Sequence, residues 1–458
     1  MHEHKQNQCK RKVKNRKNVV GLIIFCITVG IVFLYAYYQN LRKEIDARQK
    51  WLETVLIGEK KWILENQGPE GEIYMNGSEA GDVNPYFACM AALGLLAETK
   101  NCPITETEKK AVGRYLDWHT GILLETDGKM GIYRKKSGKL IYKEKADSED
   151  GYLGMYLFLM GKYLEKTEST DLPEYWKKGI SLALKKIQSL MQDGITQVSE
   201  ENTTVYLMDN LEVWKGLYEL ELAGIEDTQA ISEIRKKIQR QIEKKFWDDA
   251  NQRWRIIGNS DLYHPAEFYP DGVAQIYPLI YEFPVKEKKK QKVLYDQFTE
   301  SFQWQKLNKK RTGFLWTITG MAAAQMGDIH NLVELIGNYE TEYCKERKYP
   351  LYTGEAGWIC MECEKLYKLY ERKIKTGFLF YNLISKKLLR SDFLQRIMIS
   401  VFYTRESAFM NQPVLFIHDN RMLAERAFYC LCEQRAMKAR VSGTTAGRDA
   451  IDKTKGKE

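Results

Sequence analysis

Between Ile45 and Tyr370 the sequence alternates, six times over, between a charged helical segment and an apolar one rich in small residues. The charged segments carry apolar residues at helical spacing, as in Ile231 to Lys245 (ISEIRKKIQRQIEKK). Such helices bury one stripe and leave the rest in water. The others, YFACMAALGLLA, GYLGMYLFLMG, GVAQIYPLIY and FLWTITGMAAA, are apolar nearly all round. Helices of that kind belong inside a fold, where Gly and Ala let neighbours approach closely. Twelve helices are predicted. The odd, outer ones are Ile45 to Glu65, a third opened by the capping-box pattern Thr105-Glu106-Thr107-Glu108 and ending before Gly121, Pro173 to Met191, Thr228 to Trp247, Lys286 to Trp304, and one capped by Asp328. The even, inner ones are Pro85 to Glu98, Asp150 to Glu165, Asp209 to Leu222, Asp271 to Glu282, Thr312 to Met326 and Glu355 to Tyr370. Most inner starts lie about 40 to 65 residues apart, the period of helical-hairpin repeats. Six hairpins closing in a ring give an all-α fold, the (α/α)6 toroid, over residues 45–375.

The flanks differ. Val19 to Tyr38 (VVGLIIFCITVGIVFLYAYY) carries no charge and is long enough for a bilayer. A basic block, Lys10 to Lys17, precedes it, and mixed charges follow. No small-residue cleavage site is apparent. A transmembrane signal anchor at 19–38 is expected, with residues 1–18 cytoplasmic and the toroid outside the cell membrane. Residues 376–458 lack the hairpin rhythm and end in a polar Gly/Thr/Lys-rich stretch; a partly disordered appendage is expected there. The net charge of +9 comes largely from the basic block, and no nucleic-acid module accompanies it, so no nucleic-acid partner is expected. The nine cysteines follow no disulfide spacing, Cys360 and Cys363 form a lone CxxC, and the six histidines are scattered. Neither a metal site nor a cofactor is expected.

Long loops lead into the inner helices. Two carry hairpin-like patterns, Met130 to Arg134 before Lys139 to Lys143, and Phe246 to Asp248 before Arg253 to Ile257. Long decorated loops on one side mark a working face. Carboxylates and aromatics gather there with one arginine, Arg311: Glu79, Tyr86, Asp147, Asp150, Tyr152, Asp209, Glu212, Glu267, Tyr269, Asp271, Trp316, Glu355 and Trp358. Helix capping explains any one of the acids, but not the aromatics beside them. Paired carboxyl groups, one protonated and one ionised, are the chemistry of glycoside hydrolysis, and aromatic rings stack on sugars. No G-x-S-x-G, P-loop or HExxH motif competes. Asp147 or Asp150 is the first choice for one catalytic carboxylate, with Glu79, Asp209, Asp271 and Glu355 as candidates for the other. Tyr86, Tyr152, Glu212, Glu267, Tyr269, Arg311, Trp316 and Trp358 are candidate substrate-binding residues.

The twelve-helix rhythm, with DSEDGYLGMYLFLMGKYL and DNLEVWKGLYEL at inner starts, resembles the six-hairpin glycosidase superfamily. Ala146 to Tyr152 is weakly similar to the Asp-rich helix start of glycoside hydrolase family 8. Ser78-Glu79 sits where that family has a Ser-Glu-Gly acid motif, with Ala80 in place of the Gly. The resemblance implies the toroid and an enzyme acting on a polysaccharide or oligosaccharide, most simply a hydrolase. A polysaccharide lyase or epimerase, with His264 beside Tyr263 as a base, stays open. So does a non-catalytic glycan-binding or scaffold role beside an envelope polysaccharide synthase complex.

Overall fold

A computed structural model of the chain describes residues 2–76, 81–136, 139–168, 172–225, 228–258, 260, 262–286, 288–307 and 313–390. Side chains are described from Asn18 to Phe378, apart from those of Val20, Ile23, Ile24, Ile27, Thr28 and Ile31. Glu79, Arg311 and everything beyond Arg390 lie outside the described residues. The chain divides into two compact units, Phe33–Tyr381 and a second made of Met1–Val32 with Asn382–Glu458. The second contributes only the outer turns of two helices to the described residues. Among those residues, no helix is long and apolar enough to cross a membrane.

Twelve α-helices are present among the described residues: α1 His2–Glu65, α2 Pro85–Leu95, α3 Glu106–Glu125, α4 Glu149–Thr167, α5 Glu174–Leu190, α6 Leu207–Leu222, α7 Thr228–Phe246, α8 Val273–Ile280, α9 Lys288–Phe302, α10 Thr319–Met326, α11 Ile329–Tyr343 and α12 Thr353–Arg390. The even helices form a closed inner ring. Helices α2, α4, α6, α8 and α10 pack in succession. Gly320 of α10 lies against Glu362 of α12, and Gly94 of α2 meets Gly357 of α12. These contacts need glycine: a Cβ on Gly94 would come within 2.4 Å of the Gly357 backbone, and one on Gly154 of α4 within 2.7 Å of the Val213 nitrogen in α6. The odd helices form the outer layer, tied across the chain ends by Tyr339 and Arg347, which donate to Glu59 of α1.

Caps place the helix starts. Thr105 and Glu108 close the capping box on α3. Asn84 accepts from the Tyr86 amide at α2, and Ser148 from the Gly151 amide at α4. Short strands occupy the loops before inner helices. Asp82–Val83 (β1) pairs with Gly131–Lys136 (β2), which pairs with Lys139–Lys145 (β3). Met191–Gln192 (β4) pairs with Ile195–Thr196 (β5), and Trp247–Asp248 (β6) with Arg253–Trp254 (β7). Both hairpin patterns read in the sequence are therefore formed.

Several bounds differ from expectation for local reasons. The eighth helix opens with a wide turn, Phe268–Gly272, because Pro270 drives Tyr269 into an extended backbone (φ −131°, ψ 133°). The tenth begins at Thr319 rather than Thr312, since residues 313–318 are held in an irregular loop described below. Helix α3 continues past Gly121 to Glu125, and α12 continues unbroken past residue 375.

Candidate active site

Because each inner helix follows an outer one running back, all six inner helices start at the same end of the ring. There they enclose a cavity of about 270 Å³. All six starts contribute: Asn84 and Tyr86 at α2, Asp147 and Ser148 at α4, Asp209 and Glu212 at α6, Tyr269 before α8, Trp316 before α10, and Glu355 and Trp358 in α12. Among the described residues the lining holds four carboxyl groups and no Lys or Arg.

Glu212, in the second turn of α6, is 2% exposed. Its Oε1 accepts hydrogen bonds from Tyr86 (2.5 Å) and Tyr277 (2.7 Å), with the Tyr281 hydroxyl at 3.4 Å. Burial disfavours the charged form more than the tyrosine donors favour it, and pushes the carboxyl up to about 7. The donors converge on Oε1, which leaves Oε2 to carry the proton. A Cβ at Gly151 would lie 2.8 Å from Glu212 Oε2 and 3.7 Å from the Asp209 carboxyl carbon. A side chain there would press on the Glu212 carboxyl and only touch that of Asp209.

Asp209 opens α6 beside Ser148. The Ser148 Oγ is 2.8 Å from Asp209 Oδ2 and 2.8 Å from Asp150 Oδ1. Asp150 is fully buried beneath the cavity and also accepts from the Gly151 amide (3.0 Å) and the Thr196 hydroxyl (2.7 Å). Burial raises Asp150 to about 6 against these donors. Asp209 is pushed well above the usual carboxylate range, first by burial and then by the charges of Asp150 and Glu212. Asp147 is exposed at the cavity wall.

Glu355 has a different task. Its Oε1 accepts from the Leu315 (3.0 Å) and Trp316 (3.1 Å) amides, and its Oε2 from the Thr317 amide (2.9 Å) and hydroxyl (2.5 Å). Burial raises its pKa against these four donors. The carboxylate clamps the 313–318 loop and holds Trp316 at φ +58°, a conformation that costs a non-glycine residue of order 1 kcal/mol or more. Trp316 so held packs against Tyr269, with ring centroids 4.7 Å apart. Phe87 and Phe314 stack at 5.4 Å, and Tyr86 lies 5.5 Å from Tyr152. These rings wall the cavity.

Of the residues singled out in the sequence, Asp147, Asp209, Glu212, Glu355, Tyr86, Tyr152, Tyr269, Trp316 and Trp358 line this one cavity. Three do not. Asp150 lies one layer below. Asp271 turns its Oδ1 to the His264 amide (2.7 Å) and caps the loop before α8. Glu267 is exposed outside the lining. His264 is exposed as well, and Arg253 stacks over the Tyr263 ring at 4.2 Å. Sequence reasoning passed over Ser148, Tyr277 and Phe314. Tyr277 lies well inside α8, beyond the helix start; the two phenols in the apolar run GVAQIYPLIY were its signal.

No family model matches the sequence, and no curated protein matches it. Solved structures do. A glycosidase solved as a glutamate-to-alanine variant is similar with a TM-score of 0.51 at 12% identity, covering 73% of this chain and 98% of the other. A second glycosidase variant, in complex with glucose, gives a TM-score of 0.50 at 12% identity with the same coverage. An alpha-1,6-mannanase from Salegentibacter sp. gives 0.47 at 10% identity, covering 69% of this chain and 99% of the other. The chain therefore shares the fold of these first two glycosidases, with a closed inner ring of six helices around a carboxyl-lined cavity.

Proposed function

We propose that the protein is a glycoside hydrolase acting on a polysaccharide or oligosaccharide, with Glu212 as general acid and Asp147 as the carboxylate that activates water or attacks the sugar. The observation that carries this reading is Glu212 itself. It is a buried cavity carboxyl with a pKa of about 7, its Oε1 held by two tyrosines, and it shares the cavity with the exposed carboxylate of Asp147. General acids work best when their pKa lies near the working pH, and glycoside hydrolysis needs one protonated and one ionised carboxyl. Trp316 and Tyr269 offer faces for sugar stacking. The buried indole N–H of Trp358, which meets no acceptor among the described residues, is a donor for a sugar hydroxyl. A lining with no described Lys or Arg favours an uncharged glycan over a uronate.

The anchor at 19–38 is part of the proposal and rests on the sequence: it would hold the ring outside the cell membrane, beside exported or surface polysaccharide and its synthase. The similarity to glycoside hydrolase family 8 also stays at that level, because its Ser78-Glu79 element lies outside the described residues.

The test is reducing-end release from a panel of bacterial exopolysaccharides. Wild-type protein should cleave at least one. Glu212→Gln and Asp147→Asn should each lose about 100-fold or more while still binding. Binding without cleavage on every glycan would favour the non-catalytic scaffold. Full activity in Glu212→Gln would move the acid to another residue.

A further inference from the structure

The Ser148 hydroxyl carries one proton, yet its oxygen lies 2.8 Å from a carboxyl oxygen on each side, Asp150 Oδ1 and Asp209 Oδ2. It can donate to only one of them. An oxygen pair at 2.8 Å with no proton between is repulsive, so the other carboxyl must donate to Ser148. Asp150 is the ionised partner by donor count: the Gly151 amide and the Thr196 hydroxyl already point at it. The Asp209 carboxyl shows no hydrogen bond beyond Ser148 among the described residues. The chain of donation then runs from Asp209 Oδ2–H to Ser148 Oγ–H to Asp150.

We infer that Ser148 bridges Asp150 and Asp209 into a pair holding a single proton, so that Asp209 faces the cavity as an uncharged carboxyl whose free Oδ1 accepts a hydrogen bond from a sugar hydroxyl. The groups facing Asp209 agree with a neutral state. Asp147 and Asp150 approach from the start of α4, Glu212 from its own helix and Tyr269 from the start of α8, and none is a cation. An ionised Asp209 would be a further negative charge in a confined space. Asp209 is thus a substrate-positioning residue, and Asp150 and Ser148 act through it. The consequence for substrate rests on the glycan-hydrolase reading; the protonation state does not.

Infrared spectroscopy of the full chain near neutral pH tests it without substrate, through the C=O stretch of a protonated carboxyl. Wild type should show a band that Asp209→Asn removes. Asp150→Asn keeps an oxygen for the Gly151 amide and for Ser148 but removes the negative charge beside Asp209, so the band should titrate away at lower pH than in wild type. Ser148→Ala should lower the pH at which the band titrates away by roughly one unit or more, and Ser148→Thr, which keeps the hydroxyl, should restore it. A titration unmoved in Asp150→Asn, a titration unmoved in Ser148→Ala, or a wild type with no band belonging to Asp209 would overturn the inference. Since no turnover is read, a failed hydrolysis assay leaves this result standing, and the reverse holds as well.

Discussion

Replacing Glu355 by Gln separates a structural clamp from a reacting acid. The carboxylate accepts two donors on each oxygen. Glutamine offers one carbonyl oxygen, which can keep one pair. Its amide then faces the Thr317 pair, where the hydroxyl can turn to the Glu355 carbonyl (3.0 Å) but the Thr317 amide is stranded beside a residue 5% exposed. A buried unsatisfied donor costs about 1–3 kcal/mol, so Glu355→Gln should destabilise the fold by about 1–3 kcal/mol. The loss falls on the loop that keeps Trp316 at φ +58°, so glycan binding should weaken along with stability. Thr317→Val, which removes only the hydroxyl donor, should cost about 1 kcal/mol. Denaturant titrations give the stabilities, and Trp fluorescence follows Trp316 as sugar is added. If Glu355→Gln changed stability by less than about 0.5 kcal/mol while turnover vanished, the clamp reasoning would fail and Glu355 would be a reacting group.

Tyr277→Phe removes a donor that favours ionised Glu212; the alkaline limb of kcat/KM, set in the wild type by a group of pKa about 7, should move up by about 1–2 units, and a shift downward would contradict the assignment. For stability the sign is set by the raised folded value: the Glu212 carboxyl keeps its proton from 4.5 up to about 7 in the folded chain, so its contribution is largest below about pH 4.5 and is lost as pH rises towards 7. That loss is on the order of 3 kcal/mol, and subtracting the pH dependence of Glu212→Gln from that of wild type should reveal it; a flat difference would refute it. Gly154→Ala puts a Cβ within 2.7 Å of the Val213 nitrogen, and should cost about 1–3 kcal/mol by forcing α4 from α6, read as a lowered Tm. An alkaline phosphatase fusion after residue 50 should be active and a cytoplasmic reporter there silent; the opposite pattern would place the ring on the other side of the membrane.

Helix count, the alternation of outer and inner helices and the end at which acids and aromatics line a cavity were legible in the residues, because burial writes a periodicity into every helix. A helix wetted on one face shows a stripe, as in ISEIRKKIQRQIEKK, and a helix wetted on neither shows almost no charge. Convergence of the inner starts then follows from chain reversal alone. The division of labour among the acids was not legible. Asp147, Asp150 and Asp209 read alike in the sequence, as do Glu212 and Glu355. What separates them is which atoms other segments place beside them: the Tyr86 and Tyr277 hydroxyls on Glu212, the 315–317 amides on Glu355, the Thr196 hydroxyl on Asp150. Local propensity also misjudged the tenth helix, whose first two turns are given up to the loop that Glu355 holds. Sequence by itself determined which helices are buried and that acids and aromatics gather at one end, since both depend on residues near in the chain. Which acid keeps its proton was decided only by the tertiary structure, because desolvation and donor count at a carboxyl depend on neighbours tens to hundreds of residues away.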